Sequence, residues 1–415
     1  MKKLIAYVSF LALFATGCTS DEPVPSPDSA EDTEAMVNFE LTEAESRTAT
    51  ATQKFNIEFF QTVCAQNNEG NICTSPLSVS IHLSMFANSC DEPTRQSITK
   101  ALGCNDIDVL NSLAKKYLTA LPSIDSTASM ALANSFWYHQ PYTLNPDFSA
   151  KLDKYYGGEK FARDLQNECK ATSDEINCWV KDKTKNLIEE IITEAELQHA
   201  KAAGVLINAL FFKGAWANPF KEENTSKQDF HGSKNISSID MMYNNGMQHY
   251  LIEDNYQAVK LEFGNGSFSA FVVLPNEGTD INDFIASGEL ASLNGKSFID
   301  KGIKFHLPKF KLLPEKLGLN EAYNALGIED LSNARNYAVF TEQVSSAVKI
   351  CQMSAIEFNE EGAEGAAVSW NVYPTVGEPD IEPPIPEVNV NRPFIILINE
   401  KTTGACLFAA RITDL

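Results

Sequence analysis

The N-terminal half of the chain has apolar residues at the three- to four-residue spacing that is typical of amphipathic helices. Phe55, Phe59 and Val63 share one face of a helix predicted to begin near Thr48. Ser75 predicts the start of a second helix, because serine is favoured at the N-cap and a proline follows it in the first turn. The pattern predicts further helices at 107–121, 145–156 and 173–192, and a strand at 127–139.

After Gly204 the pattern changes to that of strands, with short apolar runs separated by turn residues. The run from Val205 to Trp216 is almost continuously apolar. A run of this kind predicts a strand that is buried on both faces of a sheet. We therefore expect this strand to lie inside the protein.

A run of small side chains follows a later strand-like segment. Residues 355–358 alternate apolar and polar side chains and lead to Gly362. Small side chains then occupy every second position, at Ala363, Gly365, Ala367 and Ser369. Alternate residues of a strand point to the same face, so this segment would enter a packed sheet without the cost of about 1–3 kcal/mol that each larger side chain adds. One interpretation is a segment that becomes a new central strand, and the other is a flexible linker.

Residues 1–17 have the pattern of an export signal. Lys2 and Lys3 precede an apolar stretch from Leu4 to Phe14, which is too short to span a membrane. The small residues before Cys18 resemble the cleavage site of a bacterial lipoprotein, with Cys18 as the lipidated first residue of the mature chain, although an alanine stands where leucine is more usual. A plain secretion signal is the alternative.

Residues 18–46 are predicted to be a disordered tether, because a segment rich in Pro, Ser, Asp and Glu cannot bury apolar surface. The acidic residues just after Cys18 resemble the export signals of some Gram-negative lipoproteins. The expected location is therefore the cell envelope of a Gram-negative bacterium, as an outer-membrane lipoprotein that is exposed at the cell surface.

The composition is that of a folded chain with an acidic surface. The 415 residues are 44% apolar, enough for one large or two ordinary domains. The net charge is -22, from 55 acidic and 33 basic residues. Such a surface repels phosphate and sulfate groups, which disfavours nucleic acid and heparin as partners.

No pattern of catalytic or metal-binding residues occurs in the chain. The eight cysteines beyond Cys18 include no Cys-x-x-Cys pair, and their disulfide pairing is not determined by the sequence. The chain has no Gly-x-Ser-x-Gly, His-Glu-x-x-His or Gly-x-x-x-x-Gly-Lys-Ser/Thr motif. We therefore expect a protein that is not an enzyme and that needs no cofactor or metal.

Ordered motifs along the chain resemble those of the serpin family. They are Asn71-Ile72-Cys73-Thr74-Ser75-Pro76-Leu77-Ser78, the run 205–216 with Pro219-Phe220 beyond it, Asp229-Phe230-His231, Met241-Met242, Phe271-Val272-Val273-Leu274-Pro275-Asn276, His306-Leu307-Pro308-Lys309-Phe310 and Asn391-Arg392-Pro393-Phe394. Ala409-Ala410-Arg411 departs from the family's usual Met-Gly-Arg. The resemblance covers residues 47–415 as a single domain. It implies an α+β serpin fold: a large central, mostly antiparallel sheet, additional sheets, about eight or nine helices, and an exposed reactive loop at about 362–390.

The resemblance also implies a mechanism. In serpins a protease cleaves the exposed loop and becomes acylated, and the freed loop half inserts into the sheet as a strand and carries the protease with it. The implied partner is a serine protease, with cysteine proteases as a second class, in a covalent 1:1 complex with a monomeric inhibitor. The alternative is a non-inhibitory serpin-fold binding protein, which Gly365 and the long acidic, Pro-rich loop favour.

The resemblance assigns roles to particular residues. The hinge of the reactive loop corresponds to Glu360, Glu361, Gly362, Ala363, Glu364, Gly365, Ala366 and Ala367. The positions that control the opening of the sheet correspond to Ser75, Ser78, Asn208, Trp216 and Gln352. Many serpins have a histidine where Gln352 stands. Glutamine both donates and accepts hydrogen bonds, so a polar network would persist there without the pH dependence of histidine.

The scissile bond has several candidates. The family's spacing from Gly362 gives Val376–Gly377, and a small β-branched residue before the bond suits elastase- or subtilisin-like proteases. Counting backward from the C-terminal motif gives Glu382, six residues later, so the loop is longer than is common. Bonds followed by proline resist most serine proteases, which leaves Asp380–Ile381 and Ile381–Glu382 as alternatives.

Overall fold

Three β-sheets and the helices packed on them form the described part of this computed structural model. The structure describes residues 40–312, 319–328, 331, 339–342, 348–351, 353–363 and 385–415. These residues belong to one compact unit, Met36–Leu415. Among them there is no helix with the length and apolar character needed to cross a membrane.

Ten α-helices lie in the described residues, slightly more than the eight or nine expected, and several are short. They are α1 (Glu43–Gln66), α2 (Pro76–Ala87), α3 (Glu92–Ala101), α4 (Ile107–Ala120), α5 (Pro146–Lys151), α6 (Cys169–Lys183), α7 (Glu194–Ala200), α8 (Ile281–Ala286), α9 (Glu289–Ser292) and α10 (Leu319–Ala325). The first helix begins at Glu43 rather than near Thr48, because Thr42 and Glu45 form a capping box one turn earlier.

The helix predicted at 173–192 is displaced toward the N-terminus. It begins at Cys169 and ends at Lys183, so Ser173 lies inside α6 and does not cap it. The Ser173 hydroxyl donates instead to the carbonyl of Lys170, within the helix. A serine side chain can bond the preceding turn as well as cap a helix, which is why its presence misplaced the predicted start.

The strands of the described residues are numbered in chain order. They are β1 (Ile72–Thr74), β2 (Ala128–His139), β3 (Glu159–Arg163), β4 (Gly204–Ala215), β5 (Ser226–His231), β6 (Ile236–Ile252), β7 (Tyr256–Phe263), β8 (Phe268–Pro275), β9 (Ile299–Pro308), β10 (Phe310–Leu312), β11 (Val348–Cys351), β12 (Ile356–Phe358), β13 (Gly362–Ala363), β14 (Glu387–Asn389), β15 (Phe394–Glu400) and β16 (Cys406–Ile412).

The largest sheet has nine strands in the order β1-β16-β15-β8-β7-β6-β9-β14, with β5 paired to β6. Its pairings are antiparallel except for β14 with β9, as expected for a large, mostly antiparallel sheet. A second sheet joins β10 and β12, and the third has the order β11-β4-β2-β3 with β13 also paired to β4. This third sheet, of five strands, is mixed, because β11 pairs with β4 and β3 with β2 in parallel.

The strand β4 is buried on both faces, which confirms the prediction made from its apolar run. Leu206 and Leu210 belong to the main hydrophobic core on one face of the five-stranded sheet. Val205 and Ile207 belong to a second core on the other face, together with Val180 of α6. Side chains of a strand alternate between faces, so β4 contributes apolar side chains to both cores.

The carboxylate of Glu45 connects α1 to α4. It accepts hydrogen bonds from Lys116 Nζ at 2.6 Å, from Ser112 Oγ at 2.6 Å and from the Thr42 backbone N–H at 2.7 Å. Burial raises the pKa of Glu45, but the bonds from Lys116, Ser112 and Thr42 together outweigh it and lower the pKa to about 2. One of the two lysines of α4, Lys116, is therefore paired with a carboxylate of α1.

Replacing Glu45 with Gln is expected to lower the free energy of unfolding by about 2–3 kcal/mol at neutral pH. The pKa of this carboxyl is lower in the folded than in the unfolded protein, so its contribution is complete above an ordinary glutamate pKa of 4.5 and is lost as the pH falls toward about 2. Urea unfolding of both proteins at several pH values measures the difference. Glu43→Gln, at an exposed position of the same helical turn, is the control. If the difference in unfolding free energy between the two proteins stays constant as the pH is lowered, the lowered pKa assigned to Glu45 is wrong.

Candidate functional site

The described part of the predicted hinge enters the five-stranded sheet at the C-terminal end of β4. Gly362 and Ala363 pair antiparallel with Ala215 and Gly214. Glu360 and Glu361 form the turn before this pairing. The other predicted site residues, Cys18, Gln352, Glu364, Gly365, Ala366, Ala367, Val376 and Gly377, lie outside the described residues.

Trp216, which directly follows β4, holds this turn in place. Its backbone N–H donates to the carbonyl of Glu361 at 2.9 Å, and its indole Nε1–H donates to the carbonyl of Asn359 at 3.0 Å. The indole stacks on Phe263 with ring centroids 4.5 Å apart. The backbone N–H of Phe220 donates to the carbonyl of Glu360 at 2.9 Å. The structure thus brings Trp216 together with the hinge.

Gly362 occupies a position that only glycine fits. Its φ is +146°, a conformation that L side chains rarely adopt, and a Cβ there would lie 2.1 Å from the carbonyl oxygen of Gly214. The turn is closed by the side-chain oxygen of Asn359, which accepts from the backbone N–H groups of Glu361 and Gly362. The close approach of the Gly362 and Gly214 backbones therefore depends on the missing side chain.

Replacing Gly362 with Ala is expected to separate β13 from β4 and to lower the free energy of unfolding by about 1–3 kcal/mol. The added Cβ cannot stay 2.1 Å from a carbonyl oxygen, so the backbone must move. Urea unfolding gives the change, and limited proteolysis reports the exposure of the hinge. Gly278→Ala is the control, because its φ is +83° and nothing lies within 4 Å of the added Cβ. Equal effects of the two variants would show that the contact with Gly214 is unimportant.

Glu360, whose side chain is buried, forms an ion pair beside the hinge with Lys309, whose side chain is half exposed. Its carboxylate accepts from Lys309 Nζ at 2.8 Å and from Thr225 Oγ1 at 2.8 Å. Burial raises the pKa of Glu360, yet the bonds from Lys309, the backbone and Thr225 lower the pKa overall, and Glu360 in turn raises the pKa of Lys309. Three separate segments of the chain meet at this carboxylate, which anchors the first residue of the turn.

Between its two partners, β4 has an open edge. β11 pairs with residues 204–207 and β13 pairs with residues 214–215 on that side. Residues 208–213 have no strand partner on that edge among the described residues. An unpaired edge presents backbone N–H and C=O groups that can bind another strand. The open stretch is buried at its side chains except at Lys213, so a strand added there would lie in the interior.

Polar side chains lie at the start of this open stretch. The Nδ2 amide of Asn208 donates to Asn134 Oδ1 at 2.8 Å, and Asn134 Nδ2 donates to the Tyr156 carbonyl at 2.9 Å. Asn208 Oδ1 and Ser78 Oγ, both buried, have no hydrogen-bond partner within the described part of the chain. Ser75 is buried at the N-cap of α2 but makes no capping bond with its side chain. Of the residues predicted to control the opening of the sheet, Asn208 thus lies at one end of the open edge of β4. Ser75 lies at the cap of α2, and Ser78 lies within α2.

Sequence reasoning missed Lys309, Thr225 and Asn134. Lys309 lies within a motif that resembles the family, but no local pattern indicates its partner 51 residues away. Asn134 faces Asn208 through the antiparallel register of β2 and β4, and a register between strands 74 residues apart is not visible in the sequence.

Cysteines do not add to the site: Cys64, Cys73, Cys90, Cys104, Cys169, Cys178 and Cys406 are free thiols. No group of three or more His, Cys, Asp or Glu able to hold a metal occurs in the described ranges.

The fold and the site together define an α+β protein in which, among the described residues, 208–213 of β4 have no strand partner on one edge and the hinge pairs at one end of that stretch. The family described as "Serpin (serine protease inhibitor)" matches residues 50–415. The chain therefore belongs to the serpin family.

Known relatives resemble the chain over most of its length. It is 28% identical to "Serine protease inhibitor" of Cyanea capillata, over 88% of this chain and 98% of the relative. It is 27% identical to "Leukocyte elastase inhibitor" of Xenopus tropicalis, over 88% of this chain and 99% of that protein. The solved native-state structure of the thermophilic serpin Tengpin has a TM-score of 0.77 at 24% identity, covering 91% of this chain and 96% of Tengpin. The Tengpin likeness supports the fold alone.

Proposed function

We propose that this protein inhibits serine proteases by suicide trapping, and that its targets have elastase- or subtilisin-like specificity. The observation that carries the proposal is the open edge of β4 with the hinge already paired at one end. The names of two relatives, a serine protease inhibitor and a leukocyte elastase inhibitor, support the same activity. Cysteine proteases are a second target class under this proposal, and the product is a covalent 1:1 complex with a monomer.

The register at the hinge predicts the pairing of the inserted form. In an antiparallel pair, each step toward the C-terminus of the loop moves one residue back along β4, so Ser369 would face Asn208. Gly365 and Ala367 would face Phe212 and Leu210, which belong to the main core. The small residues would therefore enter beside large ones, and the Ser369 hydroxyl would supply a donor for Asn208 Oδ1.

We expect the energy of such an insertion to be large compared with the contacts that hold the uninserted loop. About fourteen residues at ~3.3 Å each span roughly 45 Å. Each new ladder hydrogen bond contributes about 1 kcal/mol net, and burial of the inward side chains adds to this, so a full strand would exceed about 10 kcal/mol. Complete insertion also requires β11 to leave β4, and their pairing is four residues long.

The proposal places the scissile bond at Val376–Gly377, because the spacing from the hinge determines how far the protease is carried. The test is to mix residues 40–415, which keep the cap of α1, with neutrophil elastase and to analyse the products on a denaturing gel. The expected result is an SDS-stable band of inhibitor plus protease and a released peptide that begins at Gly377. Cleavage by both elastase and subtilisin with no stable band, and with no rise in melting temperature, would refute trapping and favour a non-inhibitory binding protein.

We also propose that the protein is a bacterial lipoprotein, anchored at Cys18 in the outer membrane of a Gram-negative cell and exposed at its surface. The signal pattern of residues 1–17 and the polar composition of residues 18–46 support this proposal. Mass spectrometry of the mature N-terminus tests it, with Cys18→Ser as the control. A free, unacylated N-terminus would refute the anchor.

A further inference from the structure

A cavity of about 350 Å³ lies between the ends of β5 and β8, the start of β7, and β14 with the residues that follow it. Its volume is within the range of sites that hold a small organic molecule. Leu274 is the one apolar residue that the structure places in its wall, so the cavity favours a polar or charged ligand. The residues around it do not include the hinge, so the cavity is separate from the site described above.

Two buried polar atoms at this cavity lack partners. Arg392 Nε and Asn389 Oδ1 have no hydrogen-bond partner among the described residues. The guanidinium of Arg392 is held instead by Nη2, which donates to the carbonyl of Pro275 at 2.9 Å. Buried polar atoms are normally satisfied. The two atoms therefore indicate a ligand that brings an acceptor to Arg392 and an N–H donor to Asn389.

The charged groups of the wall are one guanidinium and two carboxylates, when histidine is counted as neutral. Arg392 is the cation, and Glu277 and Glu387 are the anions. Burial lowers the pKa of Arg392, and the negative charge of Glu277 partly offsets this effect. One carboxylate oxygen of Glu387 lies 3.3 Å from His306 Nε2, which leaves the other oxygen for a ligand. The complementary ligand therefore has one more cationic group than it has carboxylates.

We propose that this cavity binds a free basic amino acid, a small molecule with two ammonium groups and one carboxylate. The carboxylate of the ligand accepts from Arg392 Nε. The two ammonium groups lie at Glu277 and Glu387, and one of them also donates to Asn389 Oδ1. The bound ligand thereby connects β14 to the end of β8. This binding is independent of protease inhibition.

Three probes that share the carbon chain of lysine test the proposal. L-Lysine has all three charged groups, cadaverine lacks the carboxylate, and ε-aminocaproate lacks the α-ammonium group. We expect calorimetric titration of the full chain to show one lysine bound per molecule, about tenfold more tightly than either other probe, because each lost group removes a charge-assisted hydrogen bond. Lysine should also raise the melting temperature. No binding of lysine at millimolar concentration would overturn the proposal. Equal affinity for lysine and either other probe would also overturn it, because attraction to an acidic surface needs no carboxylate.

Variants place the binding in this cavity. Arg392→Gln is expected to weaken lysine binding about tenfold and to leave cadaverine unchanged, because only lysine has the carboxylate that Arg392 binds. Glu277→Gln is expected to weaken lysine binding about tenfold, whereas Glu190→Gln, the same change at an exposed position after α6, should not alter it. His231→Trp fills the cavity from its exposed edge and should weaken lysine binding more than about tenfold.

Glu277 and His231 are exposed, so their variants test the site even if Arg392→Gln does not fold. If Glu190→Gln weakens binding as much as Glu277→Gln does, or if His231→Trp has no effect, the proposed site is wrong.

Discussion

Replacing Ala363 with Arg is expected to convert this protein from an inhibitor into a substrate of its target protease. Ala363 pairs with Gly214, and cross-strand partners point to the same face of a sheet. A Cβ atom added to Gly214 would lie only 2.9 Å from ring carbons of Phe212 and Phe263, so this face has no free space. An arginine opposite Gly214 would keep its place in this packed face only at the cost of overpacking and a buried charge, so we expect it to separate β13 from β4 and to remove the paired end from which insertion proceeds.

The effect is measured as the fraction of cleaved inhibitor that ends in an SDS-stable complex. We expect this fraction to fall more than about tenfold for Ala363→Arg, because slower insertion gives deacylation time to release the protease. Glu361→Arg is the matched control, since Glu361 is exposed in the turn next to Gly362 and lies outside the pairing of β13 with β4. Complex formation by Ala363→Arg at the normal level would refute insertion, while loss in both variants would indicate a general effect of positive charge at the hinge.

Replacing Glu360 with Lys is expected to lower the free energy of unfolding by about 2–4 kcal/mol, because a cation replaces a buried carboxylate that accepts two hydrogen bonds, although its partner Lys309 is half exposed. The new ammonium group would lie where the carboxylate now accepts from Lys309 and Thr225, and two cations would face each other. The turn at Glu361 and Gly362 would then lose its anchor. The open edge of β4 would be exposed to strands of other molecules, so we also expect self-association on mild heating.

Urea unfolding and size-exclusion chromatography measure the two effects. The double variant Glu360→Lys with Lys309→Glu restores opposite charges and is expected to recover at least about half of the lost free energy. The single variant Lys309→Glu should destabilise as Glu360→Lys does. Unchanged stability in the single variants, or no recovery in the double variant, would contradict the assigned pairing.

The sequence alone best predicted the segments in which almost every side chain is buried. The apolar run 205–216 predicted β4 and its burial on both faces, because a strand between two cores has few polar residues. Helix ends were less certain, since Ser173 can bond within α6 as well as cap it. The hinge and Trp216 were identified by resemblance, and the structure describes their contact through Asn359 and Glu361.

The partners of those residues could not be predicted, because they depend on the arrangement of distant segments. Lys309 reaches Glu360 only after β10 pairs with β12, which brings residues near 310 beside residues near 358. Asn134 meets Asn208 only through the register of two long strands. The assignments of Gln352, Val376 and Gly377 remain predictions, since they lie outside the described residues.

Under the proposed trapping mechanism, the short pairing of β11 with β4 also affects the lifetime of the active protein. A suicide inhibitor is inactive once its loop has inserted without a protease. The half-life of the active form therefore depends on the rate of spontaneous insertion rather than on the folding equilibrium. That rate is governed by the contacts that must break first, and β11 contributes four residues to the edge that must open. A stronger pairing of β11 with β4 would slow both spontaneous insertion and insertion after cleavage. The four-residue length of β11 therefore balances the half-life of the active form against the rate of inhibition.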